Sequence, residues 1–205
     1  MIVSHKYKFI FIRTRKTAST STEIALSRIL GEQDVITPVC ERDEKIREIE
    51  GGISPQNYTG FYNHMSASEI RAILGEKKWN SYYKFCFERN PWDKVISLYF
   101  HRYKQEPRPS FISFIDSGEC FDAYNYNLYT INDEIAVDFI GRYEELETNL
   151  ADVCNRLGIN HLYLPRAKSQ FRTDKSHYSQ FISSNEKEKI NMLFKKEIQL
   201  HCYQF

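Results

Sequence analysis

Two short apolar runs, each followed by a polar loop and a helix start, most constrain the fold of this chain. Residues 8–13 form the first run, which is continuously apolar as expected of a buried central strand, and helical spacing follows over residues 20–30. The second run, residues 82–87, leads to Asn90-Pro91, where an N-cap and a first-turn proline predict a helix that ends near Tyr103. The chain therefore contains two strand–loop–helix units.

Further strands and helices alternate along the chain. Ser66 and Glu69 form a capping box, in which each side chain satisfies a free amide at a helix start. Gly158 is placed to end another helix. The elements predicted beyond the first two units are a helix from Ser66 to about Gly75, a strand over 135–140, a helix over 144–157 and an amphipathic helix over 185–200.

This alternation of strands and helices predicts an α/β fold with a central, mainly parallel sheet flanked by helices. A chain of 205 residues can bury a sizeable core, and it contains no internal repeat or low-complexity linker, so we expect a single domain over residues 1–205. Residues 31–60 mix charges with glycines and a proline, which predicts either a partly disordered segment or a substrate-facing loop.

Charge and cysteine content exclude several classes of protein. The 28 basic and 27 acidic side chains nearly cancel, so no overall field attracts nucleic acid or an anionic membrane, and any anion site must be local. Five cysteines without a C-x-x-C pair are typical of a reduced cytosolic protein. The apolar residues 9–12 are too few for a signal peptide or a membrane span. We expect a cytoplasmic protein without a transmembrane segment, and its oligomeric state stays open.

The loop after the first strand is crowded with hydroxyl groups around Lys16. Ligands of a parallel sheet bind beyond the carboxyl ends of the strands, where helix amides favour phosphate. Residues 14–21 can offer amides, hydroxyls and one mobile cation to such an anion. The glycines of a G-x-x-x-x-G-K-[ST] loop are absent, and no lone acidic residue suited to magnesium ends an apolar strand, which argues against a metal-dependent kinase. A hydroxyl-rich helix start is also an ordinary cap.

The loop after the second strand adds an arginine and a serine. Arg89 ends the strand, and Ser97 follows it about two helical turns into the next helix. A guanidinium group offers a planar fork of donors to phosphate, and a serine on the same side adds a hydroxyl. The alternative for Arg89 is an ion pair with Asp93.

Together the two loops resemble the PAPS-dependent sulfotransferases of the carbohydrate type, the Golgi-type branch that includes heparan 2-O-like enzymes. The resemblance rests on K-T-A-S-T-S at residues 16–21 and on R-N-P-W-D with Ser97 at residues 89–97. The segments around His64 and Glu144 are also similar to segments of relatives, so most of the chain outside residues 31–60 is covered. The resemblance implies a P-loop-like, three-layer α/β fold, 3′-phosphoadenosine 5′-phosphosulfate (PAPS) as sulfuryl donor, and no metal.

The resemblance also implies roles for individual residues. Lys16 would stabilise the negative charge that grows on the leaving phosphate oxygen. Arg89 and Ser97 would hold the 3′-phosphate. Hydroxyls and helix-start amides would hold the 5′-phosphate, and some of the hydroxyls only cap the helix. The residues expected to form this 5′-phosphate loop are Lys16, Thr17, Ala18, Ser19, Thr20 and Ser21.

A base and a closing segment complete the expected site. His64 is the candidate general base, since a neutral imidazole suits that work near neutral pH; the alternative is a histidine that only bonds local backbone. Lys168 and Arg172 either contact the donor or belong to a solvated loop. Arg13 and Arg15 flank the loop on opposite faces, so at most one should face the donor. The aromatic stretch 121–129 either stacks an acceptor or forms core.

These features predict transfer of a sulfuryl group to an acceptor hydroxyl on a small molecule, a carbohydrate or a glycolipid. Two other functions stay open at this stage: a P-loop-type kinase that uses ATP and magnesium, and a catalytically silent module that binds a nucleotide or a glycan. The missing glycines count against the first, and Lys16, Arg89 and Ser97 count against the second.

Overall fold

The computed structural model describes residues 1–165 and 176–205. A five-stranded sheet forms its centre, with the strand order β3-β1-β2-β4-β7. A two-stranded hairpin, β5 and β6, lies apart from it. The strands are β1 Ile2–Ser4, β2 Phe9–Phe11, β3 Val35–Ile36, β4 Tyr83–Glu88, β5 Thr130–Ile131, β6 Glu134–Ile135 and β7 Phe139–Arg142.

Helices flank this sheet and cover both of its faces. Within the described ranges, none of them is both long enough and apolar enough to cross a membrane. The α-helices are α1 Ser19–Ser27, α2 Glu41–Ile49, α3 Ala67–Leu74, α4 Glu76–Ser81, α5 Pro91–Arg102, α6 Phe111–Asp116, α7 Tyr126–Tyr129, α8 Leu146–Leu157, α9 Tyr178–Phe181, α10 Ser184–Leu193 and α11 Lys195–His201. Short 3₁₀ turns span Glu119–Ala123 and Tyr143–Glu145.

The central strands send alternate side chains into two different cores. Phe9 and Phe11 of β2 pack with Phe85 and Phe87 of β4, and helices α1 and α8 cover them. Ile10, between the two phenylalanines of β2, packs on the opposite face under α3 and α4. Period-two alternation of this kind places a hydrophobic layer on each face of a sheet. The sheet is therefore buried on both sides, as the apolar runs predicted.

The α/β class is confirmed, whereas the sheet is mixed rather than mainly parallel. β2 pairs in parallel with β4, and β4 with β7, but β1 is antiparallel to both of its neighbours, β2 and β3. A three-residue and a two-residue strand are too short to show period-two alternation, which is why β1 and β3 were missed. The segment 31–60 is accordingly not an irregular loop, since it contributes β3 and α2.

Two predicted elements have the wrong boundaries. Residues 135–140 are not one strand, because Ile135 ends the hairpin and only Phe139–Arg142 joins the central sheet. Residues 185–200 are two helices, α10 and α11, with a break at Phe194. Phe194 is fully buried in a further core cluster, which includes Trp92 and Phe114, so the demand for burial at this position overrides the continuous helical pattern. The predicted caps at Asn90, Ser66 and Gly158 are confirmed.

A buried carboxylate ties the segment 31–60 to the sheet. Glu23 of α1 accepts hydrogen bonds from the Met1 ammonium at 3.1 Å, from Arg13 at 3.1 Å and from Arg47 of α2 at 2.8 Å. The side chains of Glu23, Arg47 and Arg13 are almost completely buried. One carboxylate thus holds α2, α1 and the end of β2 together.

The structure predicts that Glu23→Gln destabilises the protein by about 3–5 kcal/mol, because loss of one partner leaves buried cations without compensation. The free energy of unfolding from urea denaturation measures this effect. Glu41→Gln is the matched control, since Glu41 forms an exposed ion pair with Lys45 and its loss should cost about 0–1 kcal/mol. Equal losses in the two variants would contradict a structural role for the Glu23 cluster.

Candidate functional site

A cleft of about 1320 Å³ lies beyond the carboxyl ends of β2 and β4, where α1 and α5 begin. Parallel strands end at the same edge of a sheet, so the loops that follow them meet there. Eight of the residues predicted from the sequence line this cleft. They are Lys16, Ala18, Ser19, Thr20, Ser21, His64, Arg89 and Ser97.

The loop between β2 and α1 has an unusual backbone. Lys16 and Ala18 have φ angles of 61° and 56°, in the left-handed region that costs an L-residue roughly 1–2 kcal/mol. Ala18 is the N-cap of α1, and its methyl group cannot accept a hydrogen bond from the first-turn amides. The positive end of α1 therefore faces the cleft with its amides uncapped by that side chain, which is how helix starts bind anions.

Thr17 belongs to the predicted loop, but its side chain is buried and does not face the cleft. It is fully buried, and its hydroxyl lies 2.8 Å from the hydroxyl of Thr14, which donates to the Phe87 carbonyl. Thr17 is not among the described residues that line the cleft. Its hydroxyl thus connects the loop to β4.

Arg13 and Arg15 both line the cleft, so the expectation that at most one of them faces it is wrong, because residues two apart on a strand share a face. Arg13 is buried and donates to Glu23, to Asn63 and, at 2.8 Å, to the Thr20 hydroxyl. Arg15 is half-buried and lines the cleft. Burial lowers the pKa of Arg15, and the charge of Asp122 partly opposes this. Arg15 is consequently a cleft cation that residue spacing alone did not identify.

Arg89 joins the two sequence motifs. Its Nε and Nη2 donate to Asp93, so the ion pair considered from the sequence exists, and its Nη1 donates to the Lys16 carbonyl at 3.2 Å. The guanidinium plane lies 4.1 Å from the centre of the Tyr143 ring. These bonds occupy three of five N–H groups and fix the orientation of the group at the cleft wall.

Ser97 lies on α5, on the same cleft wall as Arg89. It is half-buried, two helical turns from the start of α5, and thus presents its hydroxyl to the space that Arg89 borders. A guanidinium with unused donors and a hydroxyl on one wall can bind a phosphate group away from the start of α1.

His64 is bonded to the backbone just before the loop of residues 14–21. Its Nδ1 lies 2.9 Å from the Arg13 carbonyl oxygen, and its φ of 59° is left-handed. A carbonyl oxygen only accepts, so Nδ1 carries the hydrogen and Nε2 of the neutral ring keeps its lone pair. Burial, reinforced by the charges of Arg13 and Arg15, lowers the pKa of His64 to about 3. The imidazole is therefore neutral at physiological pH.

A buried charge cluster lies behind the two loops. Lys94 of α5 donates to Glu88 at the end of β4 and to Glu197 of α11, both at 2.7 Å, and all three are completely buried. Burial and the charge of Glu88 raise the pKa of Glu197 to about 7. Burial alone lowers the pKa of Lys94, but the two carboxylates outweigh it and raise this pKa above its ordinary value.

The residues of this buried cluster differ in whether the sequence alone could have identified them. Lys94 follows the recognised R-N-P-W-D motif, and its place beside Val95 on an inward helix face marks it as an unusual buried cation. Glu197 carries no local signal, because it lies 103 residues from Lys94 in the chain. The same holds for Asn125, whose buried side chain bonds the Arg15 backbone from 110 residues away. Contacts between residues so far apart in the chain cannot be predicted from residue spacing.

Two other predictions concern residues around the cleft. Lys168 and Arg172 lie outside the described residues. The acceptor-facing alternative for residues 31–60 finds no support, because no described residue that lines the cleft comes from that segment. In residues 1–165 and 176–205, no group of three or more His, Cys, Asp or Glu side chains could hold a metal ion.

Comparison with known proteins identifies a family over nearly the whole chain. The family model described as the sulfotransferase family matches residues 1–204. An uncharacterized protein of Archaeoglobus fulgidus is 43% identical over 100 residues, which make up 46% of this chain and 83% of that protein.

The geometry around His64 predicts an unusual titration. The folded-state pKa of about 3 lies below the ordinary value of 6.5, so the His64 ring should stay neutral between pH 8 and pH 5. As pH falls through 6.5, only the unfolded chain gains this proton, and the stability that His64 contributes declines. NMR titration of the ring protons, assigned through His64→Asn, measures the pKa. A His64 midpoint near 6.5 would contradict the buried environment.

Proposed function

The chain belongs to the sulfotransferase family, and from this premise we propose that it transfers a sulfuryl group from PAPS to an acceptor hydroxyl. One observation carries the proposal: the loop 16–21 and the pair Arg89 and Ser97 line a single cleft, and Arg89 bonds the Lys16 carbonyl. A ligand with two separated phosphate groups fits two anion sites on one cleft better than a ligand with one phosphate group does.

The residues present suit this donor. The start of α1, with the amides and hydroxyls of Ser19, Thr20 and Ser21, would hold the 5′-phosphosulfate, while Thr17 would contribute its backbone only. Arg89 and Ser97 would hold the 3′-phosphate. The arrangement of β2, loop and α1 is proposed to be P-loop-like, with Ala18 and Lys16 in left-handed conformations where that loop type uses glycines. Lys168 and Arg172 are further proposed contacts.

The donor supplies an activated sulfuryl group, whose sulfur–oxygen bond to the 5′-phosphate breaks as the acceptor oxygen attacks sulfur. Lys16 would stabilise the charge that develops on the phosphate oxygen, which lowers the barrier because the interaction strengthens in the transition state. His64 would accept the hydroxyl proton at Nε2, since its Nδ1 is held on the Arg13 carbonyl.

The acceptor is proposed to be a small molecule, a carbohydrate or a glycolipid in the cytoplasm, in the manner of the carbohydrate branch of the family. Aromatic residues of 121–129 do not line the described cleft, and Tyr126 and Tyr129 are core residues, which favours the core interpretation of that stretch. Asp122 lines the cleft instead. A carboxylate accepts hydrogen bonds from hydroxyl groups, so Asp122 suits a hydroxylated acceptor.

We predict that adenosine 3′,5′-bisphosphate stabilises the protein without added metal and that Ser97→Ala weakens this effect. A ligand at 100 times its Kd adds about 2.7 kcal/mol of stability, and loss of one phosphate contact raises Kd. Ser97 is preferred over Arg89 for the test because Arg89 also holds Asp93 and the Lys16 backbone. Melting temperatures with increasing bisphosphate measure both affinities.

Ser81→Ala is the control for this experiment, since Ser81 is exposed at the end of α4 and does not line the cleft. It should bind the bisphosphate as the wild type does. Stabilisation by ATP with magnesium but not by the bisphosphate would overturn the proposal in favour of a kinase. Binding of the bisphosphate without sulfuryl transfer to any acceptor would favour a silent module.

Turnover should depend on Lys16 and His64. We expect Lys16→Ala and His64→Ala each to lower kcat by roughly 10²-fold or more, as removal of a transition-state cation or a general base does. Release of the bisphosphate from PAPS in the presence of an acceptor measures turnover. Lys77→Ala and His161→Ala are matched controls at exposed positions. Near-normal turnover in His64→Ala would remove it as the base.

A further inference from the structure

One buried amide holds the backbone just before Lys16. The Asn125 Nδ2 donates to the Arg15 carbonyl at 3.0 Å, and the Arg15 N–H donates to Asn125 Oδ1 at 2.7 Å. Asn125 is completely buried, and it lies 110 residues from Arg15 in the chain. Both polar groups of the Arg15 backbone are therefore bonded to one side chain.

Asn125 is itself held by the buried charge cluster. Its Nδ2 also donates to Glu88 at 3.1 Å, and its backbone N–H donates to Glu197 at 2.6 Å. Lys94 bonds both carboxylates. The amide thus uses its two Nδ2 hydrogens and its oxygen at once, which fixes its orientation and leaves no freedom to rotate.

Two bonds secure the backbone on either side of the Lys16 nitrogen. Asn125 holds the Arg15 carbonyl, and Arg89 holds the Lys16 carbonyl at 3.2 Å. Lys16 has a left-handed φ of 61° between these two carbonyls, a conformation that persists only where surrounding contacts determine it. Glu88 bonds both Asn125 and Arg89, because its Oε1 also accepts a hydrogen bond from the backbone N–H of Arg89 at 2.9 Å.

We propose that Asn125 is a positioning residue that aims Lys16 by fixing the backbone of Arg15. The inference rests on the proposed sulfuryl transfer, in which Lys16 acts on the leaving oxygen. Asn125 does not line the cleft and acts through the loop. A shift of about 1 Å in a reacting group costs up to roughly 10²-fold in rate, so small relaxation of the loop is sufficient.

The position of Asn125 predicts that its substitution lowers kcat more than it weakens donor binding. In Asn125→Ala, the Arg15 backbone loses both bonds, and kcat should fall about 10- to 100-fold. The Ser97 side of the cleft stays intact, so the Kd for adenosine 3′,5′-bisphosphate should rise less than tenfold. A residue that only stabilises the fold would lower the melting temperature but leave kcat per folded molecule unchanged.

Steady-state kinetics with PAPS and isothermal titration with the bisphosphate test this in the chain of 205 residues. Asn191→Ala is the matched control, because the Asn191 amide oxygen accepts from Trp92 Nε1 at 3.0 Å and Asn191 is not among the described residues that line the cleft. Asn125→Ser serves if the alanine variant does not fold; its hydroxyl can restore one of the two bonds, so its kcat should lie between wild type and alanine.

The outcomes separate the two proposals. A wild type that neither binds the bisphosphate nor turns over PAPS overturns the proposed function itself. A wild type that does both, with Asn125→Ala or Asn125→Ser equal to it in kcat, overturns the positioning role alone. Equal losses of kcat in Asn125→Ala and Asn191→Ala would also overturn it, since the effect would then not depend on the bonds between Asn125 and Arg15.

Discussion

One carboxylate oxygen at the end of β4 connects the loops of the cleft. Glu88 Oε1 accepts hydrogen bonds from the Arg89 backbone, the Lys94 ammonium and the Asn125 amide. The first bond sets the start of the second loop, the second fixes α5, and the third reaches the first loop. A charged group buried at this depth is stable only when its partners surround it. The need to compensate Glu88 therefore helps to set the positions of both loops that line the cleft.

The cations that line the cleft lie on or beside the two loops, whereas its carboxylates, Asp122, Glu144, Glu145 and Glu147, come from other segments. Arg13 is paired with Glu23, which it shares with Met1 and Arg47, and Arg89 is paired with Asp93. Lys16, Arg15 and the start of α1 also contribute positive potential to the cleft surface. Charge of this kind is local, which agrees with the near balance of 28 basic and 27 acidic side chains.

Sequence predicted the parts of this site that depend on neighbouring residues. The loop at Lys16, the Asn90 cap and the cleft position of Ser97 follow from apolar runs, helix starts and turn-scale spacing, and the structure places them at one edge of the sheet. The contacts of Glu23 with Arg47 and of Asn125 with Arg15 join distant segments, and no period or motif encodes such pairs. The short strands β1 and β3 were missed for a related reason. They are recognised as strands only by their pairing with other segments of the sheet.

The environment of His64 links its basicity to the charge in the cleft. A pKa of about 3 makes the imidazole available but gives it little drive to take a proton. Part of the lowering comes from the charges of Arg13 and Arg15, which disfavour a second cation nearby. An anionic donor on the proposed site would oppose that repulsion and raise the His64 pKa, while burial, the larger cause of the lowering, would remain. Under the proposed function, His64 would therefore be a stronger base when the donor is bound than in the free protein.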